Sequence, residues 1–255
     1  MSRQRHPTTW PATGSGFTPR DGPHALARLA AVSFDVTGTL LGLPRLGSIY
    51  AEVFQRHGLE AAPPEIEQAV RQAWSEKSIG VRLGEDRFSS HPEGPRGFWR
   101  DLVARVALLL ELPAPSPFVS AELFDRFARP DSWQVFADVE PALGVLREAG
   151  LRLAVVSNFD ERLPRLLAGL GLAEHFDSVV WSSRVGVEKP HPAIFEEMLH
   201  DLGMPPARVL HVGDSRRGDV EGAQALGMGA LWLVRGGDQG DLADLGDLPA
   251  ELGIE

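Results

Sequence analysis

An aspartate at the end of a short apolar run constrains this chain more than any other feature. The run is Ala31-Val32-Ser33-Phe34; Asp35 follows it, and Val36-Thr37-Gly38-Thr39-Leu40-Leu41 lies beyond. A β-branched and aromatic stretch of this kind reads as a buried strand, and Gly38 ends it in a turn. A strand covered on both faces delivers its last side chain to the rim of a sheet, where open α/β sheets bind their ligands. Asp35 is therefore a candidate nucleophile. Taken alone, it reads better as an aspartate tying down a strand-to-loop turn.

Three later segments answer it. Leu151-Arg152-Leu153-Ala154-Val155-Val156-Ser157-Asn158 is a second apolar strand, ending in a hydroxyl. Gly186-Val187-Glu188-Lys189-Pro190-His191-Pro192 holds one lysine in a Pro-fixed loop, ahead of a helix that begins near Ala193. Val209-Leu210-His211-Val212-Gly213 is a third strand, leading to Asp214 and Asp219. Aspartate, hydroxyl, lysine and acidic pair, each after a strand, resemble the four motifs of the haloacid dehalogenase-like hydrolase superfamily. The resemblance covers roughly Ala31 to Val234, and the four motifs together are far more specific than any one. About ninety residues between the first strand and the Trp133 region suit that superfamily's helical cap. The stretches Ser157-Asn158-Phe159-Asp160 and His211-Val212-Gly213-Asp214 are most similar to its dehalogenase-like and small-phosphatase branches.

Hydrophobic periodicity divides the chain in the same way. Residues 28–44 and 132–240 alternate strand and helix, which predicts an α/β, Rossmann-like three-layer core around a parallel sheet. Helices are expected at Glu140 to Ala149, Arg162 to Leu170, Ala193 to Leu202 and Val220 to Leu226, each stopped by a glycine. Strands are expected at Val179 to Trp181 and Ala230 to Val234. Residues 45–131 read as an inserted α-helical cap. Its apolar stripes and its tryptophans are expected to be core, with a Gly- and Pro-broken stretch from Gly80 to Gly97 and a last short helix around Ser120 to Phe127. The 241–255 tail alternates Asp and Leu, which suggests a short amphipathic turn against the core.

Composition removes some classes. The chain has 255 residues, 43% of them hydrophobic, enough for one good core and a small second one. Acidic residues outnumber basic ones 35 to 25 and no basic stripe stands out, which argues against a nucleic-acid partner. Cysteine is absent, so disulfides and thiol catalysis are excluded, and a reducing, cytoplasmic setting is expected. No apolar run is long enough to span a bilayer: Val106-Ala107-Leu108-Leu109-Leu110 is stopped by Glu111. Met1 to Gly22 lacks the apolar stretch of a secretory signal. Residues 1–27 read as a disordered extension, with a transit-type leader as the other reading because arginine outnumbers acid there. The sequence leaves the oligomeric state open.

Charge then points to a cation. Asp35, Asp214 and Asp219 are expected to converge with Lys189 as the one motif cation, and carboxylates at short range resist ionising together unless a cation joins them. Mg²⁺ relieves that with hard oxygen ligands, one or two carboxylates and a substrate phosphate. The resemblance implies Asp35, the Thr37 carbonyl, Asp214 and Asp219 as its metal site. It implies Asp35 as the nucleophile that forms an aspartyl-phosphate, with Lys189 offsetting charge on the phosphoryl oxygens. Thr39, Ser157, Asn158 and Lys189 are its phosphate-binding candidates, and a small phosphorylated metabolite its substrate. Asp160 is expected to cap the following helix, and His191 and His211 to be loop or packing histidines.

One position departs from the pattern. Most phosphatases of the superfamily carry a second aspartate two residues after the nucleophile, as acid and base; here that residue is Thr37. Its carbonyl can still bind metal, but its hydroxyl cannot move protons near neutral pH. A slow phosphatase is thus expected. Two other readings stand beside it: a metal-free 2-haloacid dehalogenase, and a catalytically weak relative that binds a phosphorylated ligand.

Overall fold

A computed structural model describes residues 29–79 and 84–254. The expected N-terminal extension, and the start of the Gly80 to Gly97 stretch, lie outside the described residues. Strand β1 (Ala31–Phe34) is buried along its whole length. Burial on both faces requires helices above and below the sheet. Side chains alternate accordingly: Val32 and Phe34 enter one apolar cluster, Ala31 the other.

After β1 come a two-residue strand β2 (Leu41–Gly42) and four helices: α1 (Leu46–Arg56), α2 (Pro63–Ile79), α3 (Gly94–Leu109) and α4 (Pro117–Arg126). The chain returns through β3 (Gln134–Val135), which pairs antiparallel with β2. This ribbon brings the two crossings of the chain side by side. It is too short to leave a periodic signal. The four helices bury their own cluster, built on Ile49, Val53, Phe54, Ile66, Leu102 and Val106.

Beyond β3 the order is α5 (Val139–Glu148), β4 (Arg152–Ser157), α6 (Leu163–Gly169), β5 (Ser178–Trp181), α7 (Ser182–Val185), α8 (Pro192–Leu202) and β6 (Val209–Gly213). A π-helical turn (Arg216–Glu221), α9 (Gly222–Ala225) and β7 (Gly229–Trp232) follow. The five long strands run in the order β5-β4-β1-β6-β7, every neighbour pair parallel. This is the expected Rossmann-like three-layer sandwich. Its strands β1, β4 and β6 sit side by side at the centre, so their carboxyl ends meet.

Three expected boundaries move. Helix α4 starts at Pro117 rather than Ser120, because proline is well suited to the first helical turn. The helix expected at Val220 begins earlier, at Arg216, as a wide turn in which the Val220 amide reaches back to the Ser215 carbonyl at 3.4 Å. Ser215 Oγ caps it by accepting from the Gly218 amide. Strand β7 ends at Trp232, after which Leu233 bridges to Leu242.

The tail packs into the main core. Leu242, Leu245, Leu248 and Leu252 all join the cluster formed by Val32, Phe34 and Leu143, and α10 (Leu248–Glu251) is its last helix. Leu248→Ala is therefore expected to cost roughly 2–5 kcal/mol, as for other buried leucines. Urea unfolding measures it; a loss under about 0.5 kcal/mol, the surface-site range, would mean the tail is not part of the core.

Candidate active site

Parallel strands deliver the ends of β1, β4 and β6 to one edge. The Asp35 amide donates to the Val212 carbonyl at 3.0 Å, which carries the β1–β6 pairing one residue past the strand. Asp35 is 7% exposed, and its Oδ1 accepts from Ser157 Oγ at 3.1 Å and from Lys189 Nζ at 2.7 Å. Lys189 donates twice more, to the Val156 carbonyl at 2.7 Å and to Asp219 Oδ1 at 2.6 Å. An ammonium has three donors, and here each one has a partner.

Asp219 is almost wholly buried. Its Oδ2 accepts from the Ser215 amide at 2.8 Å, and its Oδ1 also meets His211 Nε2 at 3.1 Å. His211 Nδ1 lies 2.9 Å from Ser33 Oγ. Burial holds the imidazole below its ordinary pKa against the pull of Asp219, which favours the neutral ring. We assign its proton to Nε2, facing the carboxylate, with Ser33 donating to Nδ1. His211, set aside in the sequence as a packing histidine, is thus bonded directly to the acidic pair.

The three carboxylates differ. Burial raises Asp35, with Lys189 opposing and Asp219 adding to the rise. Burial also acts to raise Asp219, but Lys189 and His211 outweigh it and hold that carboxyl below its ordinary range. Lys189 is destabilised by burial, yet the two aspartates keep it above its ordinary value. Asp214 faces the cleft and is pushed up to about 7 by burial first, then by Asp35 and Asp219.

Glycines make this crowding possible. A Cβ on Gly38, which sits at φ 87°, would lie 2.2 Å from Asp214 Oδ2. One on Gly213 would lie 2.2 Å from Asp219 Cγ. Oxygens of Asp35, Asp214 and Asp219 consequently come within 4.8 Å of one another. Three carboxylates against one ammonium, all hard oxygen donors, suit a divalent cation.

Thr37 is exposed and lines the cleft beside Asp35. Thr39 is wholly buried, and its Oγ1 has no hydrogen-bond partner among the described residues. Asn158, expected at the phosphoryl group, turns its amide to the Lys189 backbone: Oδ1 accepts from the Lys189 amide at 2.7 Å and Nδ2 donates to its carbonyl at 3.2 Å. It therefore fixes the lysine's main chain. Asp160 accepts from the Arg162 amide, as a cap residue does, and also pairs with the Arg162 guanidinium and accepts from Trp99 Nε1 at 2.7 Å. His191 Nδ1 accepts from the Ala193 amide and caps α8.

The cleft and the space above it, roofed by α1–α3, form one cavity of about 750 Å³. Arg87 crosses from that side to Glu188, the neighbour of Lys189, with Nε to Oε1 at 2.6 Å and Nη2 to Oε2 at 2.7 Å. Arg235, beyond β7, donates to the Gly38 and Thr39 carbonyls and pairs with Asp138. Nothing in the local sequence around Arg87 or Arg235 marks either residue, because each acts on a segment over a hundred positions away.

Comparison with known proteins gives a consistent answer. The family model for haloacid dehalogenase-like hydrolases matches residues 29–227. A mouse (Mus musculus) protein, haloacid dehalogenase-like hydrolase domain-containing protein 3, is 39% identical over 229 residues, covering 88% of this chain and 89% of its own. A glyceraldehyde 3-phosphate phosphatase of Methanopyrus kandleri is 32% identical over 209 residues, 82% of this chain and 85% of its own. In fold, the chain resembles an L-2-haloacid dehalogenase from Xanthobacter autotrophicus, with a TM-score of 0.63 at 24% identity over 87% of this chain and 97% of that one. Matched along most of its length and carrying its charged residues on the carboxyl ends of a five-stranded parallel sheet, the chain belongs to the haloacid dehalogenase-like hydrolase family.

Proposed function

We propose that this hydrolase is a Mg²⁺-dependent phosphatase that acts on a small phosphorylated metabolite through an aspartyl-phosphate on Asp35. The observation that carries the reading is the trio of carboxylates, Asp35, Asp214 and Asp219, gathered around one ammonium. Attack on carbon in a haloacid needs no cation and gives three converging carboxylates no purpose. A dianionic phosphoryl group would be repelled by the same trio unless a cation stood between them. Similarity to a protein named as a phosphatase supports the same choice.

Asp35, Asp214, Asp219 and the Thr37 carbonyl would hold Mg²⁺. When bound, it supplies positive charge against the phosphoryl oxygens. Ser157 and Lys189 both hold Asp35 Oδ1, so the carboxylate arrives already oriented for in-line attack. As the Asp35 oxygen bonds to phosphorus, the bond to the organic oxygen breaks and that oxygen leaves with its electron pair. Water then attacks the aspartyl-phosphate, phosphate departs, and Asp35 is regenerated. Lys189, whose three donors are taken by Asp35, Asp219 and the Val156 carbonyl, offsets by its charge what grows on the phosphoryl oxygens. Thr39 supplies a hydroxyl donor, and Ser157 can supply one by turning from Asp35. The α1–α4 insertion (within residues 45–131) serves as a cap that shields the step from water. Residues 28–44 and 132–240 form the catalytic core.

Thr37 limits this chemistry. The position two residues after Asp35 carries a hydroxyl in place of a carboxyl, so esters of weakly acidic alcohols turn over slowly. General acid–base help is worth about 10²–10⁴-fold.

Three outcomes test the proposal. Asp35→Asn should keep the circular dichroism spectrum and lower phosphate release by about 10²-fold or more. A variant within a few-fold of the natural protein would remove Asp35 as nucleophile. Activity should require Mg²⁺ and disappear with chelator, with Asp214→Ala raising the Mg²⁺ concentration needed at half-maximal rate; full activity in chelator on a 2-chloro acid would favour the dehalogenase reading. Thr37→Asp should raise kcat on an alkyl phosphate about tenfold or more. Unchanged kcat, with no phosphorylated protein trapped in either variant, would overturn the slow-phosphatase account.

A further inference from the structure

The cavity above Asp35 has a chemical character that the motifs do not specify. Its roof and walls are ring-rich: Tyr50, Trp74, Phe88, Trp99, Phe127 and Trp133 all line it. Trp99 stacks between Trp74, at 5.7 Å and 27°, and Phe88, at 6.0 Å and 20°. These rings are braced, so the wall offers fixed planar surfaces.

Polar groups of that wall answer one another. The Arg87 guanidinium is paired with Glu188. Arg162 is buried, bonded to Asp160 and to the Phe124 carbonyl, and lies 4.9 Å from the Trp99 ring. Indole Nε1 of Trp99 donates to Asp160, and that of Trp133 to the Phe127 carbonyl at 3.0 Å. Arg87 and Arg162 are each paired with a carboxylate and both indole N–H groups are taken, while Arg71, Glu85 and Arg217 line the cavity from exposed positions. Tyr50 is different. It is 2% exposed, it lines the cavity, and no hydrogen bond among the described residues includes its hydroxyl. Burial also holds the phenol well above its ordinary pKa, so it acts as a neutral group.

Against the ring-lined wall the buried cations among the described residues are already paired, so a charged far end seated there would lose its water without gaining an opposite charge. An apolar ring would replace water against fixed aromatic walls. The volume exceeds what a phosphoryl group with a two- or three-carbon stub fills, and lies within the range of sites that enclose drug-sized ligands.

We propose that the cavity is a leaving-group site for an uncharged, ring-bearing or otherwise apolar phosphate, with at most one hydrogen-bonding atom at its far end for Tyr50. This rests on the phosphatase reading above, and it departs from the small polar metabolites that the motifs alone suggest. Charged three-carbon phosphates are then poor substrates.

Acyl phosphates test it without needing the acid that Thr37 lacks, because carboxylic acids of similar strength leave equally well. The measurement is kcat/KM with Mg²⁺ for propionyl, 3-phenylpropionyl and succinyl phosphate. The phenyl compound should exceed propionyl phosphate by about tenfold or more, and succinyl phosphate should fall below it by a similar factor. Val70 is a half-buried α2 residue on the same wall. Val70→Gln, which narrows and polarises the chamber, should bring the phenyl-to-propionyl ratio to about one. A natural-protein ratio of one or less, or a preference for succinyl phosphate, overturns the inference while leaving the phosphatase reading intact. If no acyl phosphate turns over, the phosphatase reading fails, and calorimetry with Mg²⁺ decides the site by itself. In that case 3-phenylpropylphosphonate should bind about tenfold tighter than propylphosphonate, and equal affinity overturns the proposal.

Discussion

Lys189 Nζ organises this molecule's chemistry. A buried ammonium is costly, and a buried ion pair is weak evidence of stability. This one is bonded to the Asp35 carboxylate after β1, to the Asp219 carboxylate in the turn after β6 and to the Val156 carbonyl of β4, so three segments meet at a single atom. Asn158 fixes the main chain of the same lysine, and Glu188 beside it receives Arg87 from the helical side. The arrangement makes sense as preorganisation: charges are desolvated and oriented before any ligand arrives.

Around that hub, close approach is obtained by leaving side chains out. Gly38 and Gly213 stand where any Cβ would strike the carboxylates of Asp214 and Asp219. Arg235 holds the Gly38 and Thr39 carbonyls from behind and is itself held by Asp138, whose other partner is the Leu245 amide of the tail. The segment carrying Asp35 is thereby tied to the Leu245 turn of the tail. Stability of the tail and geometry of the site are linked through one guanidinium.

The helical layer over the site is attached to it by polar contacts in an aromatic setting. Trp99 reaches Asp160, Arg162 reaches the Phe124 carbonyl, and Arg87 reaches Glu188. Each partner on the core side, Asp160, Arg162 and Glu188, lies within five residues of Ser157 or Lys189. Contacts that fasten the roof are therefore also the contacts that pair the buried charges of Arg87 and Arg162.

Much of this was legible in the chain. Short β-branched runs ending in Asp35, Ser157 and Gly213 define buried parallel strands, because only full burial tolerates such uninterrupted apolarity, and strands of that kind must present their last side chains on one edge. Gly-stopped helices between them follow from local backbone preference. Local pattern could not reveal what distant segments do to one another. That His211 bonds Asp219, that Asn158 turns to the Lys189 backbone, and that Arg87 neutralises Glu188 are consequences of packing between residues up to a hundred positions apart. Nor could it reveal the character of the cavity. Tryptophans at helical spacing read as core, and they are core, but whether one ring face is left uncovered depends on how two layers meet. The sequence determined the sheet, its edge and the kinds of charge placed there, because those are set by short-range sterics and burial. Tertiary structure alone decided which charges cancel and which surface is left for a ligand, because pairing and exclusion of water are properties of the assembled layers.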